Sequence, residues 1–394
     1  DPVLVDGTVT PDMDIDGFVG TERQVNTVTI NNQSDSAIGG LTDGGYVSVW
    51  TSTNQDNTGD NSAGVFAQRY DAAGGAVGPE FLVNTTVAGA QFDSDVAGLT
   101  DGGWVIVWDD STINGIRLNR YDATGALVET EVQVETETSG IQFQPQVTGL
   151  SNGGYVVTWS SQNSGAAGDG SANGVFAQLF NAAGARVGGE IAINQQTVNS
   201  QDTSNVTALG GGRFAVVWEE NDAANGDGSS TSVAARIFDA SGAPEGDEFQ
   251  VNTFATGFQG LPRVATLQNG DLVFAWHSDG QDTSQGGIYY QRFTDAGVPV
   301  GGEIRVNDSV SGDQTVPDII ALDTGGFAIG WTDTTTPAPG SGADVFVQVF
   351  DTDGTRLDTE TRINTEVAST QSQIALAALP DGNYVVQWTS FTSG

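Results

Sequence analysis

The chain has 394 residues, 50 of them acidic and 12 basic, and a formal net charge of −38. This imbalance argues against nucleic acid and anionic membrane surfaces as partners, because both are bound by clustered cations. The chain has no Cys, which excludes disulfides and thiolate metal sites, and it has no run of 18 apolar residues, so we expect no membrane insertion.

The predicted strands, in chain order, begin with two short segments. Residues 7–13 form a degenerate strand that contains Pro11, and residues 22–26 form a clear one. A complete unit follows, with strands A to D near 38–41, 46–50, 65–70 and 80–83. The Asp-Gly-Gly sequence between A and B is a strong signal for a β-hairpin turn. The inner pair A and B then recurs near 38–50, 96–108, 147–159, 206–218, 264–276, 319–331 and 376–388.

Four residues recur at fixed spacing in every copy of this unit. The pattern Glu-x₃-Asn-x₆-Gln-x₁₆-Trp occurs seven times, with Glu135 at one Asn position. The Glu residues are Glu22, Glu80, Glu131, Glu190, Glu248, Glu303 and Glu360. The Gln residues are Gln33, Gln91, Gln142, Gln201, Gln259, Gln314 and Gln371. The Trp residues are Trp50, Trp108, Trp159, Trp218, Trp276, Trp331 and Trp388.

Features present in all copies serve the architecture, so we interpret the Gln and Trp residues as structural. Each Gln is expected to satisfy backbone groups of a neighbouring blade, and each Trp to fill the gap between blades. A ring of Gln side chains that contacts a ligand on the axis is the alternative interpretation.

Four short antiparallel strands per repeat predict a single all-β domain over residues 1–394, a seven-bladed β-propeller. Residues 7–26 are expected to supply the outer strands of the last blade and to pair with its C-terminal inner strands, which leaves no exposed sheet edge. A β-solenoid is the alternative fold, but its rungs are shorter than this unit. No segment shows sustained helical periodicity.

The connection from strand B to strand C varies most in length between copies, and loops of variable length on a rigid scaffold commonly carry binding sites. We therefore place the working surface on the face that carries the B–C loops. These loops are rich in oxygen donors, as Ca²⁺ requires, although the same residues suit plain solvated turns. The candidate calcium ligands are Asp56, Asp60, Asp169, Asp222, Asp227, Asp279 and Asp282.

A second candidate calcium site is the segment with Asp12, Asp14 and Asp16, which matches the first half of an EF-hand loop. Its alternative interpretation is an ordinary turn between strands C and D. Arg23 stands where that loop would need its bidentate Glu.

Side chains that follow the recurring Trp, together with rare cations, are candidates for a ligand-binding face. They are Asp109, Asp110, Glu219, Glu220, Arg263 and His277. The acidic pairs could serve a glycosidase, and Arg263 could hold an acidic sugar or form an ion pair between blades. Because the chain has one His, no Cys and no hydrolase or zinc-protease motif, we predict no enzymatic activity and no catalytic residues.

The unit Asp-Gly-Gly-Trp/Tyr-Val-Val-x-Trp, then Gly-Val-Phe-Ala-Gln-Arg-Tyr-Asp-x-x-Gly, then Glu-Phe-x-Val-Asn-Thr resembles a known repeat. It is similar to tandem units of very large secreted bacterial proteins of the hemolysin-type calcium-binding (RTX) and adhesin group, over residues 7–388. The resemblance implies export, a calcium-rich milieu, adhesion and a longer polypeptide around this module. The Gly-Gly-x-Gly-x-Asp nonapeptide that names the group is absent.

Together these observations predict a secreted, non-enzymatic binding or adhesion module with structural calcium. It would recognise a glycan or a cell-surface protein through the B–C loop face. A polysaccharide-active propeller enzyme and a passive spacer in a giant surface protein are the alternatives.

Overall fold

The computed structural model describes residues 2–7, 22–56, 62–162, 173–221, 231–282, 285–334, 342–365 and 369–391. Their strands form seven four-stranded antiparallel sheets. None of these residues belongs to a helix long and apolar enough to cross a membrane.

Two N-terminal strands precede the first continuous blade. They are β1 (Pro2–Gly7) and β2 (Arg23–Gln24). Blade 1 contains β3 (Gln33–Gly40), β4 (Tyr46–Thr53), β5 (Ala63–Tyr70) and β6 (Phe81–Leu82). Blade 2 contains β7 (Gln91–Gly98), β8 (Trp104–Asp110), β9 (Gly115–Tyr121) and β10 (Leu127–Gln133). Blade 3 contains β11 (Ile141–Gly149), β12 (Tyr155–Gln162), β13 (Asn173–Phe180) and β14 (Arg186–Ala192).

The following three blades repeat the same strand order. Blade 4 contains β15 (Gln201–Ala208), β16 (Phe214–Glu220), β17 (Ser232–Phe238) and β18 (Phe249–Gln250). Blade 5 contains β19 (Gln259–Thr266), β20 (Leu272–Asp279), β21 (Gly286–Phe293) and β22 (Pro299–Arg305). Blade 6 contains β23 (Gln314–Ala321), β24 (Phe327–Asp333), β25 (Asp344–Phe350) and β26 (Thr361–Arg362). The chain ends with β27 (Thr370–Ala378) and β28 (Tyr384–Phe391).

The remaining sheet, which we call the closing sheet, is built from both ends of the chain in the order β2-β1-β28-β27. In it Val3 pairs with Trp388 and Gly7 with Tyr384. The predicted count of seven blades is corrected to six blades that are continuous in sequence. The ring is completed by this composite sheet, in which N-terminal strands pair with the C-terminal inner strands as expected.

The strand predicted at residues 7–13 is also misplaced, because the strand that pairs with β28 is Pro2–Gly7. The run Val3-Leu4-Val5 has high strand propensity. A strand at 7–13 would instead put Pro11 in the ladder, where it cannot donate a hydrogen bond. Pro11 itself lies outside the described residues.

The apolar core lies between the sheets. All eight Trp side chains are less than 2 % exposed. Leu41 and Val49 of blade 1, for example, share one cluster with Trp104 and Trp108 of blade 2. Aromatic side chains bury the largest areas in a protein core, so each Trp contributes strongly to holding neighbouring sheets together.

The recurring Glu residues join each blade to its neighbours through backbone groups, whereas the recurring Asn residues hold strand C of their own blade. The Glu131 carboxylate accepts hydrogen bonds from the N–H groups of Thr85 and Thr86, both at 2.6 Å. The equivalent carboxylate at the chain ends, Glu22, accepts from the Thr365 N–H. Asn84 accepts from the Val65 N–H at 2.8 Å. The same contacts thus recur around the ring and across its closure.

Each recurring Gln connects the end of one sheet to the start of the next. Gln91 Nε2 donates to the carbonyl of Ala88 at 3.0 Å, and its Oε1 accepts from Asn84 Nδ2 at 3.0 Å. The Gln side chains therefore support the loop between strands D and A and contact the Asn of the preceding sheet.

Every inner strand contains a β-bulge opposite its recurring Trp. Strand β3 pairs with β4 as far as Ser34 and again from Ala37, so two residues lie opposite Trp50. The first residue of each bulge has a positive φ; these residues are Asp35, Asp93, Gln144, Thr203, Leu261, Val316 and Gln373. Bulges re-aim side chains beside functional sites, and here they shape the wall of the axial cavity.

Candidate functional site

The inner strands enclose an axial cavity of about 380 Å³. Its lining is polar, with the amides Gln144, Gln146, Asn205 and Gln373 and the acids Asp35, Asp93, Asp95 and Asp318. Arg263 is the one cationic side chain among the described residues that line it. A polar, hydrogen-bonding cavity with one cation suits a hydroxyl-rich or carboxylate-bearing ligand better than an apolar one.

Two half-buried carboxyls in this cavity are held by backbone groups of the next sheet. Asp95 accepts from the Val147 N–H at 2.8 Å, and Asp318 accepts from the Leu376 N–H at 2.6 Å. Arg263 Nε lies 3.8 Å from Asp318 Oδ1. Burial raises the pKa of Asp95 to about 6 and also raises the pKa of Asp318, against the lowering effect of Arg263.

Asp93 adds a third perturbed carboxyl near the bulges. Burial, followed by repulsion from Asp35, raises the pKa of Asp93 to about 6. The cavity wall therefore takes up protons as the solution becomes mildly acidic.

One of the positions on strand B that differ sharply between blades is the residue that follows the recurring Trp. We call the contact between strand B of one sheet and the start of strand A of the next sheet a junction. We define it by the first and third residues after the Trp and the residue before the next recurring Gln. From the blade 1/blade 2 junction round the ring, the triplets are Thr51/Thr53/Ala90, Asp109/Ser111/Ile141, Ser160/Gln162/Ser200, Glu219/Asn221/Phe258, His277/Asp279/Asp313, Thr332/Thr334/Thr370 and Thr389/Phe391/Asn32.

Glu219 occupies this position between blades 4 and 5 and is 9 % exposed. Its Oε1 accepts from the N–H of Leu261, the bulge residue of blade 5, at 2.6 Å. Burial raises the pKa of Glu219 to about 7; Asp202 raises it further, whereas the Leu261 hydrogen bond, Arg263 and His277 lower it. Glu219 can therefore gain and lose a proton near neutral pH, two residues along the blade 5 bulge from the cavity-lining Arg263 through its contact with Leu261.

Asp109 occupies the same position between blades 2 and 3 and is 3 % exposed. Its Oδ2 accepts from the Gln144 N–H at 3.3 Å, and no donor among the described residues reaches its buried Oδ1. Burial and then repulsion from Asp93 raise the pKa of Asp109 well above its usual range. Blades 2 and 4 thus present equivalent carboxyls whose pKa values are both raised, chiefly by burial.

The acids that follow Asp109 and Glu219 have different surroundings. Asp110 accepts from the Thr112 N–H at 2.9 Å and lies 3.4 Å from Arg117 Nε. Glu220 is buried and pairs across the strands with Ser232. The two predicted acid pairs are therefore not side-by-side carboxylates that face one ligand.

His277, between blades 5 and 6, is 5 % exposed. Its Nδ1 lies 2.8 Å from the carbonyl of Gln314, and its Nε2 lies 2.8 Å from Asp279 Oδ1. The Phe258 ring packs against the imidazole with 5.7 Å between centroids. His277 is thus a fixed, buried group.

The predicted calcium ligands are spread over different loops. Asp56 in blade 1 accepts from Ser62 Oγ at 3.1 Å, and Asp282 in blade 5 is 8 % exposed. Asp279 contacts His277. Outside the described residues lie Asp12, Asp14, Asp16, Asp60, Asp169, Asp222 and Asp227.

Sequence reasoning missed the acids of the cavity wall, Asp93, Asp95 and Asp318, and it missed Asp313 beside His277. The acids of the cavity wall could have been found by comparing the copies at one position. Four residues after the recurring Gln, blade 1 has Ala37, whereas blades 2 and 6 have Asp95 and Asp318. The other copies have Ala37, Gln146, Asn205, Arg263 and Ala375 at this inward-facing position, and such variation indicates a role outside the shared architecture.

No family model matches the chain, and no curated protein matches it. Among solved structures, the polysaccharide lyase Uly1 is similar with a TM-score of 0.53 and 11% identity over 90% of each chain. A protein of unknown function from Dyadobacter fermentans gives a TM-score of 0.53 and 10% identity over 81% of this chain and 96% of its own. NanB sialidase from Streptococcus pneumoniae gives 0.49 and 10% identity over 92% of this chain and 66% of its own.

The likenesses with a TM-score of 0.53 show a shared fold, which in this chain is a β-propeller. The prediction that the chain is not an enzyme is corrected by the likeness to Uly1, because a polysaccharide lyase has this fold. The absence of nucleophile and zinc-protease motifs does not exclude catalysis, because buried carboxyls such as Glu219 need no such motif to transfer protons.

Proposed function

We propose that the chain is a carbohydrate-active enzyme that cleaves a polysaccharide at the rim of the axial cavity, on the B–C loop face. The observation that carries this proposal is Glu219: a buried carboxyl with a pKa of about 7, fixed by the Leu261 N–H beside a cavity that contains Arg263. Active sites are where burial and neighbouring charges shift the pKa of a carboxyl in this way.

Cleavage of a glycosidic bond requires a proton for the departing oxygen, and a carboxyl with a pKa near the working pH supplies it efficiently. Glu219 is assigned this role of general acid. Arg263 is assigned the binding of an anionic or hydroxyl group of the sugar, and the amides Gln146 and Asn205 the binding of hydroxyls. Asn205 Nδ2 already donates to Gln146 Oε1 at 2.9 Å, so these amides are held in place.

The similarity to a polysaccharide lyase over nine-tenths of both chains supports a polysaccharide as the substrate class. A polymer of this kind is met outside the cell, which agrees with the proposal of a secreted protein. Calcium in the B–C loops, at Asp56 and Asp282 among the described candidates, remains part of the same proposal as a stabilising ion.

The test is a screen of neutral and uronate-containing polysaccharides with the purified chain, scored by new reducing ends and by the ultraviolet absorbance of unsaturated products. Turnover is expected for at least one polymer, reduced by about 100-fold or more in Glu219→Gln. The absorbing product identifies elimination, and its absence identifies hydrolysis.

The matched control is Glu245→Gln on the opposite face of the ring, where Glu245 forms an ion pair with Arg213. This variant is expected to keep full turnover. Binding of a glycan without any turnover, or full turnover by Glu219→Gln, would contradict the proposed function.

A further inference from the structure

The junction between blades 5 and 6 differs from every other junction in its triplet of side chains. His277, Asp279 and Asp313 place an imidazole and two carboxylates at the three defining positions. The other six triplets have at most one ionisable side chain each. Because the backbone scaffold repeats, this concentration of ligating groups in one copy is not required by the architecture.

The three side chains converge on one point. One ligand atom from each of His277, Asp279 and Asp313 lies within 4.8 Å of the others. Zinc lies at roughly 2.0–2.2 Å from His and Asp ligand atoms, so the ligands of one ion are at most about 4.4 Å apart, close to the separation found here.

His277 has the second contact that metal-binding imidazoles normally make. Its Nδ1 lies 2.8 Å from the backbone carbonyl of Gln314, which can only accept, so Nδ1 carries a proton. In the neutral ring this leaves the lone pair on Nε2, the atom that faces Asp279. A hydrogen bond from the other ring nitrogen to a carbonyl is the arrangement that orients histidine toward a metal.

Asp313 provides an independent observation. Its Oδ1 is buried, and no hydrogen-bond donor among the described residues reaches it. A buried carboxylate oxygen without a donor is costly, and a bound cation would satisfy it.

Gly286 leaves the space between these groups open. A Cβ at this position would lie 2.4 Å from Asp313 Oδ1 and 2.2 Å from His277 Cε1. Only a residue without a side chain is compatible with this approach of the two ligands.

From these contacts we propose that His277, Asp279 and Asp313 bind one divalent first-row transition metal ion, such as Zn²⁺, at the blade 5/blade 6 junction. Imidazole selects such ions over Ca²⁺, which prefers six to eight oxygen ligands. Three protein ligands leave at least one position for water or a substrate oxygen. The site is independent of the role proposed for Glu219.

The experiment is calorimetric titration of the metal-free chain with Zn²⁺, with Co²⁺ absorbance as a reading of the ligand field and Ca²⁺ and Mg²⁺ as comparison ions. One Zn²⁺ per chain is expected, with Co²⁺ bands typical of nitrogen and oxygen ligands and a rise in melting temperature. Asp313→Asn and His277→Gln are expected to weaken Zn²⁺ binding by about 100-fold or more, beyond the roughly 10–100-fold effect of changing a residue that only orients a metal ligand.

Gly286→Ala tests the same site with all three ligands retained and is expected to weaken binding by closing the space. Asp109→Asn, which removes a carboxyl from the equivalent position of another junction, is expected to leave the affinity unchanged. The proposal is overturned if no transition metal binds, if Ca²⁺ binds as tightly as Zn²⁺, or if His277→Gln and Asp313→Asn bind Zn²⁺ like the original chain. None of these results depends on polysaccharide turnover.

Discussion

The contacts that join the sheets and the junctions on the B–C face are built from the same strands but follow opposite rules. The joining contacts repeat: each recurring Glu accepts from backbone N–H groups of the neighbouring blade, as Glu131 does from Thr85 and Thr86. The junctions differ from one copy to the next, with Thr51, Glu219 and His277 at one equivalent position. Residues that repeat hold the ring together, and the proposed chemistry lies on residues that break the repeat.

Glu131, in a joining contact, and Glu219, at a junction, have opposite pKa shifts. The pKa of Glu131 is lowered: burial opposes this, but hydrogen bonds from Thr86 and Thr85 outweigh it. The pKa of Glu219 is raised to about 7, chiefly by burial. An ionised Glu131 therefore stabilises the fold, whereas an ionised Glu219 destabilises it.

The largest expected effect comes from breaking the closure of the ring. Deletion of residues 1–24 removes the six residue pairs between β1 and β28 and the contact of Glu22 with Thr365. We expect a loss on the order of 5 kcal/mol in the free energy of unfolding, measured by denaturant titration. A circular permutant that attaches residues 1–26 after residue 391 through a flexible linker should recover it. Unchanged stability of the deletion would show that β1 does not close the ring.

The next effect is the pH dependence of Glu219→Gln. Because the folded-state pKa is raised, the protonated form favours folding, and this contribution is complete below about pH 4.5 and is lost as the pH rises through about 7. At pH 8 the variant should therefore be more stable than the original chain by roughly 2–3 kcal/mol, with no difference at pH 4. Chemical denaturation at both pH values measures this, and equal stability at pH 8 would contradict the protonation assigned to Glu219.

A smaller effect of opposite sign is expected for Glu131→Gln. Because the folded-state pKa is lowered, the stabilising contribution is present above the unfolded pKa and is lost as the pH falls. We expect the variant to be less stable by about 1 kcal/mol at pH 7 and equal to the original chain near pH 3. If Glu131→Gln and Glu219→Gln change stability with pH in the same direction, the contrast between the two regions fails.

The smallest effect concerns backbone strain in the cavity wall. Val316 has a φ of 51° at the first bulge position of blade 6, a conformation that β-branched residues rarely adopt. Val316→Asn, which places a residue tolerant of this conformation there, should raise stability by about 0.5–1 kcal/mol. Thr203→Asn at the same position of blade 4 provides a second measurement. A loss of stability in both variants would show that side-chain packing outweighs the strain.

Much of the fold can be predicted because the same sequence unit recurs along the chain. The strand positions follow from the constant spacing between Gln91 and Trp108 and between the equivalent residues of the other copies. The features that occur once or outside the repeat could not be predicted in this way. The position of β1 depends on which N-terminal segment pairs with β28, and no internal copy shows it. The grouping of Asp95, Arg263 and Asp318 depends on the circular arrangement of blades 2, 5 and 6, which brings distant positions to one axis.

The candidate site illustrates the same limit. His277 and Glu219 could be selected because they interrupt a repeated position, but their partners Asp313, Gln314 and Leu261 are contributed by the next blade. Neighbouring blades meet these side chains only in the closed ring, so the burial that raises the pKa of Glu219 was not visible in the sequence.

The most direct test is a side-by-side measurement of polysaccharide turnover, at pH 7 and on the same substrate, for the original chain, Glu219→Gln and Glu131→Gln. If the positions that break the repeat carry the catalysis, turnover falls by about 100-fold or more in Glu219→Gln. Folded Glu131→Gln then keeps nearly the turnover of the original chain. Equal turnover in all three, or a loss confined to Glu131→Gln, would contradict that assignment.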